Sequence, residues 1–139
     1  MMKLKKVKKL YKERGFNMYT LINLTPHDIN VYGDGSLDDK DKILLTLPSK
    51  GIARCEQTIR SEGYIGLEEK LEDGRHISIP IQRSSYGKVT GLPAPTNKTI
   101  YVVSALVAQQ AKRNDVVCPI DYVRDEKNRI IGCRGFSKV

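Results

Sequence analysis

The chain has 139 residues, a formal net charge of +8, 40% hydrophobic residues and no Trp, the proportions of one domain with a single core. No run nears the roughly 18 apolar residues of a membrane span; the longest, around Tyr101 to Ala108, is broken by Ser104. Cys55, Cys118 and Cys133 stand far apart with no CxxC pair, so no metal site is expected and the thiols read as small hydrophobes in a reduced cytosolic protein.

The charge is concentrated at the start. Residues 1–17 hold seven Lys and Arg against Glu13 alone, +6, which leaves +2 for the rest. A polyanion-binding domain spreads its basic footprint over a folded face, so nucleic acid is not the expected partner of the body. Leu4, Val7 and Leu10 fall three apart and allow a short basic amphipathic helix, readable as a membrane-surface helix or a nucleic-acid arm. The competing reading is that synthesis starts at Met18, because Lys12-Glu13-Arg14-Gly15 can be encoded by a purine-rich stretch resembling a bacterial ribosome-binding site. The expected organisation is a basic extension over 1–17 and one β-rich ligand-binding domain over 18–139.

From Met18 the pattern turns to period two. Tyr19 to Leu24 and Ile29 to Tyr32 read as strands around the corner Thr25-Pro26-His27-Asp28, followed by a Gly33-Asp34-Gly35-Ser36 turn. Ile43 to Leu47 is a third strand, and Ile52 to Cys55 extends the sheet, with Gln57 to Arg60 as a continuation. Glu62 to Gly74, with four acids between Glu68 and Asp73, reads as a surface loop or short helix. His76 to Ile81 alternates, and Pro80 assigns it to an edge. Tyr86-Gly87 and Gly91-Leu92-Pro93-Ala94-Pro95 punctuate a long loop.

Thr99 to Val103 is the strongest strand signal, β-branched and aromatic in sequence. Ser104 follows as an N-cap for a helix over Ala105 to Lys112. Val116 to Cys118 is another strand, and Tyr122 to Arg124 with Arg129 to Arg134 forms a hairpin around Asp125-Glu126-Lys127-Asn128. The fold class that follows is α+β: a mostly antiparallel twisted sheet of about seven short strands with one or two helices packed on it.

Catalytic motifs are missing: no GxSxG, Walker loop, GxGxxG or HExxH occurs. Gly33-Asp34-Gly35 lies between short strands and opens no helix, so it reads as a turn. His27 and His76 could serve a thiol only by chance proximity, and the acidic runs read as solvated charge. The chain is therefore expected to bind and not to catalyse. What remains is Ser104 at a strand-to-helix handover, whose first amides favour an anion, and Arg113, Arg124, Arg129 and Arg134 after it. Guanidinium forks suit phosphate oxygens, and Tyr86 and Tyr101 could stack on a base or ribose. Taken singly each arginine reads as a surface residue; jointly they suit a small phosphorylated nucleotide, and Arg113→Ala or Arg124→Ala should weaken ligand binding by about 2–4 kcal/mol while leaving folding nearly unchanged.

Three segments carry a family resemblance: Asn23-Leu24-Thr25-Pro26-His27; Thr90-Gly91-Leu92-Pro93-Ala94-Pro95 with Thr99 to Ala108; and Val123-Arg124-Asp125-Glu126 with Ile130-Ile131-Gly132-Cys133-Arg134. Together they resemble the first described Thoeris anti-defence family of phages over most of 18–134, excepting 57–74. The resemblance implies a protein without cofactor that acts in the cytoplasm of the infected bacterial host. There it would bind a cyclic ADP-ribose signal from TIR-domain enzymes without cleaving it, so that the defence effector does not fire. It also implies cyclic oligonucleotides as further ligands, no membrane partner, and a homo-oligomer, either a dimer or a dimer-based hexamer. The ligand residues expected on matched positions are Ser104, Arg113, Asp115, Arg124 and Arg134, with Tyr86 as the aromatic contact and Asn97 as a polar one. The alternatives are a small nucleic-acid-binding protein and a phage structural protein.

Overall fold

The computed structural model describes residues 18–36 and 38–139; the expectations for residues 1–17 lie outside that range. Thr20–Asn23 (β1), Ile29–Tyr32 (β2) and Ile43–Leu47 (β3) precede two long strands, Arg54–Lys70 (β4) and His76–Thr90 (β5). Thr99–Val102 (β6) leads into the helix Ala105–Ala111 (α1), and Val116–Arg124 (β7) and Ile130–Ser137 (β8) close the chain.

Six strands form one sheet in the order β1-β6-β7-β8-β2-β3. Its edges come together where Asn23 bridges Ser49 and Lys50 donates its amide to the Asn23 carbonyl at 2.9 Å, so the sheet is nearly closed like a barrel. β6 lies between β1 and β7 and is buried on both faces. Tyr101 and Val103 pack with Leu24, Val107, Ala108, Val116 and Cys118 under α1, while Val102 packs with Val31, Leu47, Val117 and Cys133 on the other side. A strand covered on both faces is a continuous apolar run, which is why Thr99 to Val103 stands out in the sequence.

The α+β expectation is corrected. The described residues are mostly β, 55% strand against 6% helix, with α1 the one α-helix among them. The body sheet is also not mostly antiparallel: β1 with β6, β6 with β7, and β2 with β8 run parallel. Strand direction depends on which distant segment becomes the neighbour, and local periodicity carries no such information.

The second correction is larger. Residues 62–74, expected as a loop or short helix, are the outer half of a two-stranded ribbon, β4 paired antiparallel to β5 from Arg54↔Thr90 to Lys70↔His76. Exposed strands with polar residues and the acidic run Glu68 to Asp73 hid it, because neither strand shows the buried apolar alternation of a sheet strand. Pro80, read as an edge residue, fits a ribbon in which both strands are edges. Gly91 (φ +79°) ends β5 where a Cβ would lie 2.4 Å from the Ile52 carbonyl oxygen, so a side chain is excluded there.

Candidate functional site

The sequence from Gly91 to Lys98 becomes a strap that crosses the amino end of β6. Two prolines stiffen it, and its hydroxyl and phenol groups fasten it: the Thr96 and Tyr101 hydroxyls lie 3.3 Å apart, Tyr101 Oη donates to the Ala94 carbonyl at 3.4 Å, and Thr99 Oγ1 donates to the Asn97 carbonyl at 3.2 Å. Between the strap and the amino ends of β1 and β7 lies a cleft of about 500 Å³, lined among others by Tyr19, Asn97, Lys98, Asn114, Asp115 and Lys138. Lys98 Nζ sits over the Tyr19 ring at 5.3 Å, a cation on an aromatic face. A shallower cleft of about 340 Å³ adjoins it through Pro95, Asn114 and Asp115 and adds Arg113.

Arg113 is already engaged. Its Nε and Nη2 donate to the two Asp115 oxygens at 2.9 and 2.6 Å, and Nη1 donates to the Pro93 carbonyl at 2.8 Å. The guanidinium lies 5.9 Å from the Tyr101 ring centre. Asp115 is held below the ordinary carboxylate range, first by its hydrogen bond from Arg113, against a smaller opposing effect of burial. The same bond raises Arg113. This pair ties strap, helix end and β7 together, so Arg113 is a brace as well as a lining group of the cleft.

The other expected residues lie elsewhere. Ser104 stands at the opposite end of β6, where its Oγ accepts the Val107 amide at 3.4 Å and caps α1. It borders a separate cleft of about 410 Å³ with Thr25, His27, Tyr122, Ile131 and Cys133. Arg124 donates Nη1 to the Asn128 carbonyl at 3.1 Å and closes the β7–β8 turn. Arg134 donates to the carbonyls of Gly33 and Lys40 and pins the β2–β3 connection. Tyr86 lies on the ribbon opposite Gln57, half exposed. Asn97, Arg113 and Asp115 are thus brought together, whereas Ser104, Tyr86, Arg124 and Arg134 do not line the clefts beside the strap. The expected gathering of arginines around the helix start does not form within one chain.

Tyr19, Lys98, Asn114 and Lys138 were not singled out in the sequence. Tyr19 and Lys138 sit near opposite ends of the described chain and share the cleft only through the sheet order. Asn114, adjacent to Arg113 and Asp115, could have been found as part of the same polar turn.

The Asn23-Leu24-Thr25-Pro26-His27 segment proves architectural. Asn23, 1% exposed, donates Nδ2 to the carbonyls of His27 at 2.8 Å and Leu47 at 2.9 Å, and its Oδ1 accepts from the Thr25 amide at 2.9 Å and hydroxyl at 2.7 Å. Every polar atom of a buried amide is satisfied. No group of three or more His, Cys, Asp or Glu suited to hold a metal ion occurs among the described residues, and no described helix is long and apolar enough to cross a membrane. No protein-family profile, curated protein or solved structure matches the chain.

Proposed function

We propose that the protein is a phage anti-defence protein that binds and sequesters a cyclic ADP-ribose signal made by bacterial TIR-domain enzymes, leaving the ligand intact and so blocking Thoeris immunity. The observation that carries this reading is the cleft of about 500 Å³ beside the strap, which combines an aromatic face at Tyr19, cations at Lys98 and Lys138, and amides at Asn97 and Asn114. Its size falls in the range of small-molecule sites. A cyclic ADP-ribose carries an adenine that can stack, riboses that hydrogen-bond to amides, and a diphosphate that needs counter-charge. The three-segment resemblance supplies the ligand class.

Sequestration has to compete with an effector, which calls for a dissociation constant of roughly nanomolar order, about −12 kcal/mol. Such affinity from one small ligand requires near-complete enclosure, so a second copy of the chain is proposed to cover the open side of the cleft. Cyclic oligonucleotides are the second ligand class to try, and the bacterial host cytoplasm is the proposed place of action.

The test mixes the purified chain with deproteinised lysate from cells making the TIR signal. Melting temperature is read, followed by the nucleotide released on heat denaturation. The expected result is a raised melting temperature and intact cyclic ADP-ribose in the released fraction. No shift with no released nucleotide removes the reading, and linear fragments would make the protein an enzyme.

A further inference from the structure

Two of the groups that the cleft beside the strap offers a nucleotide are already engaged with each other. Lys98 Nζ lies over the Tyr19 ring, 5.3 Å from its centre, and both residues line the cleft. The ammonium therefore takes up space over the ring that a stacked base would need. Tyr19 is 52% exposed, so the contact sits in reach of solvent, where a dissolved ligand can exchange with it.

The contact is set by the backbone. β1 and β6 run parallel with Thr20 beside Thr99, and the Thr20 amide donates to the Lys98 carbonyl at 2.8 Å. Tyr19 and Lys98 are thus neighbours just ahead of the first rung. Lys98 is also the third residue of a tight turn, closed by the Thr99 amide on the Thr96 carbonyl at 3.2 Å and by the Thr99 hydroxyl on the Asn97 carbonyl at 3.2 Å. Its φ of +54° lies in the left-handed region, where glycine or asparagine is the usual occupant. The fold holds a lysine there against its backbone preference, and the position puts the charge on the only aromatic side chain among the residues lining this cleft.

We propose that Lys98 is a specificity-determining residue that makes phosphate a condition of binding in this cleft. The inference rests on the nucleotide reading of the cleft and adds how its groups exchange. A cation over an exposed tyrosine is worth a factor of about two to five in an equilibrium, and an incoming base has to displace it. When the ligand carries a diphosphate beside its base, the displaced ammonium swings on its flexible stem to a phosphate oxygen, a stronger partner than the ring. An uncharged nucleoside offers the ammonium nothing and competes with it for the ring. The cleft therefore discriminates against nucleosides, although they carry the same base.

NMR titrations of the full chain with ADP and with adenosine, which share base and ribose and differ in the diphosphate, test this. Lys98→Ala is expected to move the two affinities in opposite directions. ADP should bind about tenfold more weakly, as a charge-assisted bond is lost, and adenosine about two- to fivefold more tightly, as the ring is freed. Lys98→Arg, which can cover the ring and also hold phosphate, is expected to keep the wild-type order. In the wild type the Lys98 Hε signals are expected upfield under the ring and to move downfield on adding ADP or cyclic ADP-ribose. A Lys98→Ala protein that binds both probes more weakly, or both like wild type, overturns the proposal. If cyclic ADP-ribose shifts the Asn97 and Asn114 amides while the Lys98 Hε signals stay in place, the proposal falls and sequestration stands. If neither ADP nor cyclic ADP-ribose perturbs those amides, the nucleotide reading of the cleft falls and takes the proposal with it.

Discussion

Arg113 and Asp115 form a two-pronged ion pair, with bonds of 2.9 and 2.6 Å, across the short turn that joins α1 to β7. The third prong of the guanidinium reaches the Pro93 carbonyl, twenty residues earlier. A rigid planar cation thus ties the strap to the turn before β7, and Asn97 and Asn114 line the cleft beside it.

Replacing Arg113 by Ala is expected to lower unfolding free energy by about 1–2 kcal/mol, the range for charge-assisted hydrogen bonds at a partly exposed site. Arg113→Lys should recover only part, because a single ammonium cannot reproduce the fork. Urea unfolding midpoints measure both. An unchanged midpoint for Arg113→Ala would show that the pair does not brace the strap and would free the guanidinium for ligand.

The pair also sets an acid dependence. Asp115 titrates below its ordinary value of 3.8 in the fold, so the stability it contributes is fully present above that value and is lost as pH falls through the lower folded one. Melting temperatures of wild type and Asp115→Asn are therefore expected to differ most above the ordinary carboxylate range and to converge as the pH falls through the lowered folded value. Comparing the two proteins cancels the background from Asp34 and Asp125, which are also depressed. A gap that stays constant through acid removes Asp115 as its source.

How much of this was legible in the sequence depends on distance along the chain. Ser104 as helix cap, the β6 strand and the Asp125–Asn128 turn are local features, and each follows from a few adjacent residues. The ribbon was missed because the Glu68–Asp73 acids read as a solvated loop, although they sit at the far end of two paired strands. The cleft was half legible. Arg113, Asn114 and Asp115 share one turn, but Asn97, Tyr19 and Lys138 join them only through the packing of strap and strands, which no local period encodes. The arginines were expected as phosphate forks, yet Arg124 and Arg134 spend donors on backbone carbonyls. Arginine fits a carbonyl-rich turn as readily as a phosphate, and composition does not distinguish the two.

Gly132 marks a close approach of β8 to β2. A Cβ built there would lie 2.5 Å from the Asn30 carbonyl oxygen and 2.5 Å from the Tyr32 ring. Tyr32 could turn aside, but the backbone oxygen cannot without moving the strand. Gly132→Ala is expected to cost about 1–3 kcal/mol as an overpacked contact, seen as a lower thermal midpoint. A variant as stable as wild type would show that the β2–β8 contact yields easily.

Asn23 offers a stricter test of the corner between β1 and β2. Its amide joins the carbonyls of His27 and Leu47, so it holds the corner against the end of β3. Asn23→Ala strands two carbonyls and the Thr25 donors, with an expected loss of about 2–4 kcal/mol. Asn23→Asp keeps the acceptor and loses both donated bonds, so it should fail nearly as badly, while Asn23→Ala with Thr25→Val removes the Thr25 hydroxyl together with its partner and should cost less than the sum of the single changes. Additivity in denaturant unfolding would mean that the two side chains act separately.

Ligand binding separates the cleft from the rest of the surface. Lys138→Glu reverses a charge at the cleft, and Asn97→Ala removes an amide from its lining, while among the described residues neither side chain makes a bond that braces the fold. Against cyclic ADP-ribose in calorimetry, Lys138→Glu is expected to weaken binding at least about tenfold, near 1.4 kcal/mol, with the loss shrinking as salt screens the charge. Asn97→Ala should lose a smaller, salt-independent amount, as a neutral hydrogen bond does. Arg124→Ala, which alters only the β7–β8 turn, should bind like wild type. If Arg124→Ala abolishes binding while Lys138→Glu and Asn97→Ala leave it intact, the ligand sits at the hairpin and not beside the strap, because no rearrangement of a single turn would reproduce that pattern from the other end of the sheet.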